Sequence, residues 1–128
     1  KPILGICLGM QLLCESSDEN GLHNGLGFIK GDVRKFEIAP LSVPHVGFNQ
    51  VKFPENSRLY RGLDDKSDFY FTHSFRLQSS SYINAGVCKY GEEFIASFEI
   101  DNIAGTQFHP ELSQTNGLKV LENFVKSF

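Results

Sequence analysis

No stretch of the chain reaches the roughly 18 consecutive apolar residues of a membrane-spanning helix, and no signal-peptide pattern is present. A large excess of either charge is also missing. Twelve basic and 15 acidic residues leave a net charge of −3, which argues against a nucleic-acid surface. Cysteine is scarce: Cys7, Cys14 and Cys88 are the three present, an odd number with no C-x2-C spacing. That pattern indicates neither a disulfide framework nor a zinc site. Free thiols fit a reducing compartment, so the chain reads as soluble and cytoplasmic, with no nucleic acid, membrane, metal or cofactor implied. Internal repeats, linkers and low-complexity tracts are absent, which makes residues 1–128 a single domain. Tryptophan is missing too, yet 12 phenylalanines and 41% apolar residues mark a globular chain with enough length for a core.

The chain is organised around its first turn. The apolar run Ile3 to Ile6 leads into Cys7, and Met10 to Cys14 are good helix formers. Gly5-Ile6-Cys7-Leu8-Gly9 is thus a G-x-C-x-G pattern, the cysteine version of the nucleophile elbow. The two glycines let a strand and a helix meet sharply. A sulfur held at a helix N-terminus meets unpaired N–H groups that favour the thiolate. The alternative is a buried, inert cysteine. Cys14, two helical turns on, is expected in the core, and Cys88 in a strand.

Downstream, Ser16 to Asn24 reads as a polar loop, and Gly31 to Phe36 as a strand broken by Pro40 and Pro44. His45 to Phe53 is extended. Ser57 is placed to cap a short helix over Arg58 to Gly62. Asp68 to Leu77 alternates as one strand, with Phe69, Phe71, His73, Phe75 and Leu77 on one face. Ile83 to Tyr90, Phe94 to Phe98 and Ile103 to Phe108 form a β-meander. Asn116 to Phe128 is an amphipathic helix that buries Leu118, Leu121, Phe124, Val125 and Phe128.

A cysteine nucleophile needs a base, and the base needs an orienting group. His109 and Glu111 flank Pro110 just past a predicted strand end, so Cys7, His109 and Glu111 run in the order nucleophile, base, acid. Taken singly, His109 is a surface-turn histidine, Glu111 a solvated carboxylate and His73 a core histidine.

The elbow, Gly5 to Leu13, together with Gln107-Phe108-His109-Pro110-Glu111, resembles the class I (triad) glutamine amidotransferases. Pro44-His45-Val46-Gly47-Phe48-Asn49 and Tyr70-Phe71-Thr72-His73-Ser74-Phe75 resemble, within that family, the glutaminase subunits of imidazole glycerol phosphate synthases. The resemblance runs over essentially all 128 residues. It implies a flavodoxin-like α/β fold: a mixed, mostly parallel sheet flanked by helices, with an antiparallel meander. It implies a Cys7–His109–Glu111 triad hydrolysing L-glutamine. Gln11, Leu8, Thr72, His73 and Ser74 would hold substrate, the N–H of Leu8 acting as an oxyanion donor. Ammonia would pass to a (β/α)8-barrel cyclase partner in a heterodimer of histidine biosynthesis, across an interface formed by His45, Gly47, Phe48 and Asn49.

Two departures qualify the implication. The family has strands, helices and a Gly-rich oxyanion loop before the elbow, whereas this sequence opens at Lys1 on the elbow strand. A preceding segment is therefore expected; without it the chain would be a poor enzyme. Phe48 and Leu112 stand where the family commonly has Trp and Lys, which points to a paralogue aminating another substrate such as a surface-sugar precursor. Two further readings remain. A γ-glutamyl hydrolase-like peptidase would keep the triad, although Gln11 argues for glutamine. A non-catalytic subunit would only dock its partner.

Overall fold

A computed structural model describes all of residues 1–128. The chain runs β1 (Ile3–Ile6), α1 (Leu8–Leu12), β2 (Cys14–Ser17), β3 (His23–Asn24), β4 (Ile29–Lys35), β5 (His45–Lys52) and β6 (Asp68–His73). It continues through β7 (Phe75–Gln78), β8 (Gly86–Tyr90), β9 (Glu92–Ile100) and β10 (Ile103–Thr106). A 3-10 turn over Pro110–Leu112 and α2 (Gln114–Ser127) close it. Six strands form one sheet in the order β1-β10-β9-β8-β5-β6, and four form a second in the order β3-β2-β4-β7.

The fold is mixed α/β, but in these residues the sheets are mainly antiparallel, against the mostly parallel sheet that the resemblance implies. Only β1 with β10 and β2 with β4 pair in parallel; the remaining pairings are antiparallel. The reason is connection length. Tight turns at Gly91 and at Asp101-Asn102 join β8 to β9 and β9 to β10, and such turns force antiparallel pairing. The expected meander is therefore present. Across about 100 residues of intervening chain, β10 can return beside β1 in parallel, Ile6 opposite Thr106.

Two cores form. The larger gathers Phe36, Val51, Leu59, Tyr60, Phe69, Phe71, Phe94, Phe108 and Val120. Phe108 stacks on Phe69 at 4.3 Å and meets Phe71 edge-on at 5.7 Å. Each such pair contributes about 0.5–1.5 kcal/mol beyond its burial. This pins the end of β10 to β6 from below. The smaller core joins Met10, Leu13 and Cys14 to Ile29, Val33, Leu77 and Phe98, tying the elbow to the second sheet.

Several elements differ from the sequence reading. Asp68 to Leu77 is two strands in different sheets, broken at Ser74. Beyond the break Arg76 is buried, because its guanidinium pairs with Glu92 at 2.8 Å and donates to the carbonyls of Arg34 and Lys35. Cys14 is buried as expected, but it begins a strand; α1 ends at Leu12. Part of the predicted loop from Ser16 is strand as well, since β2 pairs with both β3 and β4.

Residues 58–62 are turns and not a helix. The Ser57 cap does form, with its Oγ accepting from Tyr60 N. The segment is held instead by the buried Glu99 carboxylate, which accepts from Ser57 Oγ and from the N–H groups of Arg58 and Leu59. On α2 the buried stripe is Gly117, Val120 and Asn123, while Leu118 and Val125 are exposed. Asn123 can be buried because its Nδ2 donates to the carbonyls of Leu59 and Arg61, both at 2.8 Å.

Candidate active site

The elbow forms where the sequence places it, and it is strained. Cys7 sits at φ 53°, ψ −108°, a region that side-chain-bearing residues avoid. Its N–H donates to Thr106 O at 2.7 Å, and its carbonyl accepts from Gln11 N. Gly5 is required here: a Cβ would stand 2.7 Å from the backbone of Gly9 and 2.8 Å from Leu13. Gly9 is not required in the same sense, since a Cβ there would meet nothing within 4 Å.

The half-buried thiol is not the activated thiolate that the sequence reading expects. Burial pushes its pKa up. The N–H of Leu8 and the side chain of Gln107 pull the other way, and the Glu111 and Glu19 carboxylates add a further upward push. The five residues of α1 carry too little dipole to reverse the burial effect. Sγ points to Thr72 O at 3.9 Å and receives Gln107 Nε2 at 3.7 Å.

His109 follows β10 by three residues, at the same sheet end as Cys7. Its N–H donates to Tyr70 O, and its carbonyl accepts from Ser113 Oγ, which also accepts from Tyr70 N. The loop is thereby fastened to β6. Nδ1 of His109 lies 2.8 Å from Glu111 Oε2. A carboxylate can only accept, so Nδ1 is the donor in that hydrogen bond. Cys7 and His109 are not hydrogen-bonded in this resting geometry; the thiol engages Thr72 and Gln107 instead.

A cleft of about 400 Å³ opens over the thiol, within the size range of small-molecule sites. Leu8, Gln11, Thr72, His73 and Ser74 all line it together with Cys7. His109 and Glu111 stand outside that lining. Leu112, next to Glu111, is exposed. No group of three or more His, Cys, Asp or Glu side chains could hold a metal ion.

The proposed interface residues divide. His45 is only 3% exposed, so its side chain cannot face a partner. It stacks on Tyr90 at 4.1 Å and on Phe71 at 4.9 Å. Asn49 also turns inward, donating to Lys89 O and His45 Nε2. The strand's alternation explains both: the outward residues of β5 are Val46, Phe48, Gln50 and Lys52, of which the apolar Val46 and Phe48 are 57% and 50% exposed. Gly47 lies between them at φ 129°.

The buried side of β5 instead builds a histidine pair. His73 Nδ1 donates to Phe75 O at 2.9 Å, so its Nε2 must accept from His45 Nδ1 at 3.0 Å. Burial lowers the pKa of each imidazole to about 4, and both are neutral at pH 7. Thus His73 lines the cleft while its ring belongs to the core.

Sequence reasoning missed three residues. Glu19 lines the cleft, although in sequence it looks like a solvated loop carboxylate. Val46 shares the outer face of β5 with Phe48. Gln107 has no exposed surface and joins Cys7 to Gln11; its one sequence signal is a carboxamide within the otherwise weakly polar run Ile103 to Phe108.

The family model for glutamine amidotransferase class-I matches residues 1–128. The chain belongs to the class I glutamine amidotransferases. Among curated proteins, it is 51% identical over 127 residues to imidazole glycerol phosphate synthase subunit HisH 1 of Campylobacter jejuni, covering 98% of this chain and 63% of the relative. It is 46% identical to the HisH subunit of Aquifex aeolicus, covering 98% of this chain and 61% of the relative. The chain thus spans somewhat under two thirds of the length of these relatives. In fold it is similar to a Thermotoga maritima glutamine amidotransferase, with a TM-score of 0.64 at 18% identity, covering 98% of this chain and 47% of that one. A Thermoplasma acidophilum protein named as a candidate GMP synthase subunit gives a TM-score of 0.72 at 21% identity, covering 98% and 56%. No helix is long and apolar enough to cross a membrane.

Proposed function

We propose that this chain carries the glutamine-hydrolysing site of an imidazole glycerol phosphate synthase. The observation that carries the reading is the strained Cys7 elbow opening into a cleft that also holds Gln11 and Glu19. A carboxylate-held imidazole follows the strand paired with the elbow strand. The HisH names of the relatives support the choice of synthase.

In this reading L-glutamine enters with its α-ammonium toward the Glu19 carboxylate. The Cys7 sulfur attacks the side-chain amide carbon, and the N–H of Leu8 donates to the developing oxyanion. His109 Nε2 takes the thiol proton and returns it to the departing nitrogen, which leaves as ammonia. Because burial raises the thiol pKa, removal of that proton by a base is a required step. Glu111 holds the imidazole tautomer. Water, deprotonated by His109, then cleaves the γ-glutamyl thioester to glutamate and restores the thiol. Gln11, Thr72, His73 and Ser74 shape the cleft around the substrate. Ammonia passes to a (β/α)8-barrel cyclase partner docked on the outer face of β5, where Val46 and Phe48 are exposed.

Cys7→Ala tests this reading in the assembled synthase. Glutamine-dependent synthesis is lost and ammonia-dependent synthesis is retained. Glutamine-dependent synthesis that survives the substitution refutes the reading, and loss of neither activity marks a docking subunit.

A further inference from the structure

We infer that Gln107 is a positioning residue for the Cys7 sulfur, presenting an amide N–H to Sγ in an orientation locked through Gln11 by the backbone carbonyl of Phe75. The inference rests on the reading of Cys7 as nucleophile and adds a residue to that site.

The geometry fixes the polarity of the whole chain of contacts. Gln11 Nε2 lies 3.4 Å from Phe75 O and 3.1 Å from Gln107 Oε1. A backbone carbonyl only accepts, so the end of Gln11 that faces it must be the NH2 group. A flipped Gln11 would set two oxygens against each other. With Gln11 so fixed, the end of Gln107 facing it must be the oxygen, because a flipped Gln107 would oppose two donors. The other end of Gln107, its Nε2, is thereby turned toward Cys7 Sγ at 3.7 Å.

Little else in the surroundings lets the amide relax. Gln107 is fully buried, and its own N–H donates to Ala96 O at 2.8 Å. The neighbouring Phe108 is locked into the aromatic stack.

The chemistry follows from the charge on sulfur. As a thiol, Cys7 can donate weakly to Thr72 O. As a thiolate it has nothing to donate, and a hydrogen bond from an amide to a charged acceptor strengthens. Gln107 therefore gains importance as the proton leaves, and it holds the sulfur in one direction at that moment. Burial opposes the charged form, so this N–H and that of Leu8 are the two contacts that offset it.

The test uses the intact protein and reads Cys7 directly. The rate of Cys7 alkylation by iodoacetamide is followed against pH, with the site mapped by mass. Gln107→Glu keeps the volume and the oxygen facing Gln11 but removes the donor; Gln107→Met removes both ends. In each the alkylation midpoint rises by about 1–2 pH units, the scale of a hydrogen bond to a charged group. Glutamine kcat falls by about tenfold or more while KM stays within about twofold, the signature of an interaction made in the transition state. Gln11→Met raises the midpoint by less, because Gln107 keeps its amide and loses only its lock.

Folded variants, by near-UV circular dichroism, with wild-type midpoints overturn the inference. Should the buried substitutions prevent folding, the side-chain 15N resonance of Gln107 is followed in the unaltered protein. It moves as Cys7 titrates; a resonance that stays fixed overturns the inference. Iodoacetamide does not require a glutamine site. Shifted midpoints in a protein that never hydrolyses glutamine therefore support Gln107 and sink only the glutaminase reading.

Discussion

Lowering the pH from 7 toward 4.5 should destabilise this protein through its buried histidine pair. The two rings are 3% and 6% exposed. Every ring nitrogen is already committed: His73 Nδ1 to Phe75 O, and His73 Nε2 to His45 Nδ1. The remaining nitrogen, His45 Nε2, accepts from Asn49 Nδ2 at 3.3 Å. An added proton there would face another donor, among the rings of Phe71, Tyr90 and Phe94. The folded pKa values are lowered to about 4, whereas an unfolded histidine titrates near 6.5.

Between these values the unfolded state binds more protons than the folded one, so stability falls as pH falls. The effect is absent above about pH 6.5 and develops down to about pH 4, at about 1.4 kcal/mol per pH unit for one histidine. One group alone therefore removes about 3 kcal/mol across that window, a large share of the usual total stability. Urea denaturation at steps from pH 7 to 4.5, with the imidazole carbons followed by NMR, reads both quantities. A midpoint that does not move, or four histidines all titrating near 6.5 in the folded state, would refute the neutral buried pair.

Three substitutions probe the rest of the scaffold. Gly5→Ala drives a Cβ to 2.7 Å from the Gly9 backbone and should lower stability by about 1–3 kcal/mol, read by thermal unfolding. Cys7→Gly relieves the φ 53° strain and should raise stability by about 1 kcal/mol while abolishing alkylation at position 7, a stability gain bought with function. Glu99→Gln weakens the buried acceptor of Ser57 Oγ, two backbone N–H groups and the Arg58 guanidinium. It should lower stability by about 2–3 kcal/mol and increase hydrogen exchange at Arg58 and Leu59.

Much of this architecture is legible in the sequence where local pattern and tertiary demand agree. The elbow is readable because strand, Cys7 and the tight Gly5 approach are local. The meander is readable because alternation and turn residues are local as well. What stays hidden depends on partners distant in sequence. Alternation runs unbroken through Ser74, yet the chain changes sheets there, since Phe36 N reaches across to Ser74 O.

Arg76 and Asn123 look like solvent-facing residues and are buried, each because backbone carbonyls from elsewhere satisfy it. The apolar residues Leu118 and Val125 look buried and are exposed, because α2 turns its small residue Gly117 toward the carbonyl of Pro110. At the site, the resemblance names His45 for the interface, but strand alternation from the buried Val51 places it inward and leaves Val46 and Phe48 outside. Gln107 is hidden for the same reason as Arg76: its role exists only once Cys7 and Gln11 are beside it.

The most direct test of the central claim is the intact mass of the protein after incubation with an electrophilic glutamine analogue, with the adduct mapped by peptide. The expected result is a single adduct on Cys7, prevented by excess L-glutamine and absent from Cys7→Ala. An unmodified protein, or an adduct on Cys14 or Cys88 that glutamine does not prevent, would contradict it.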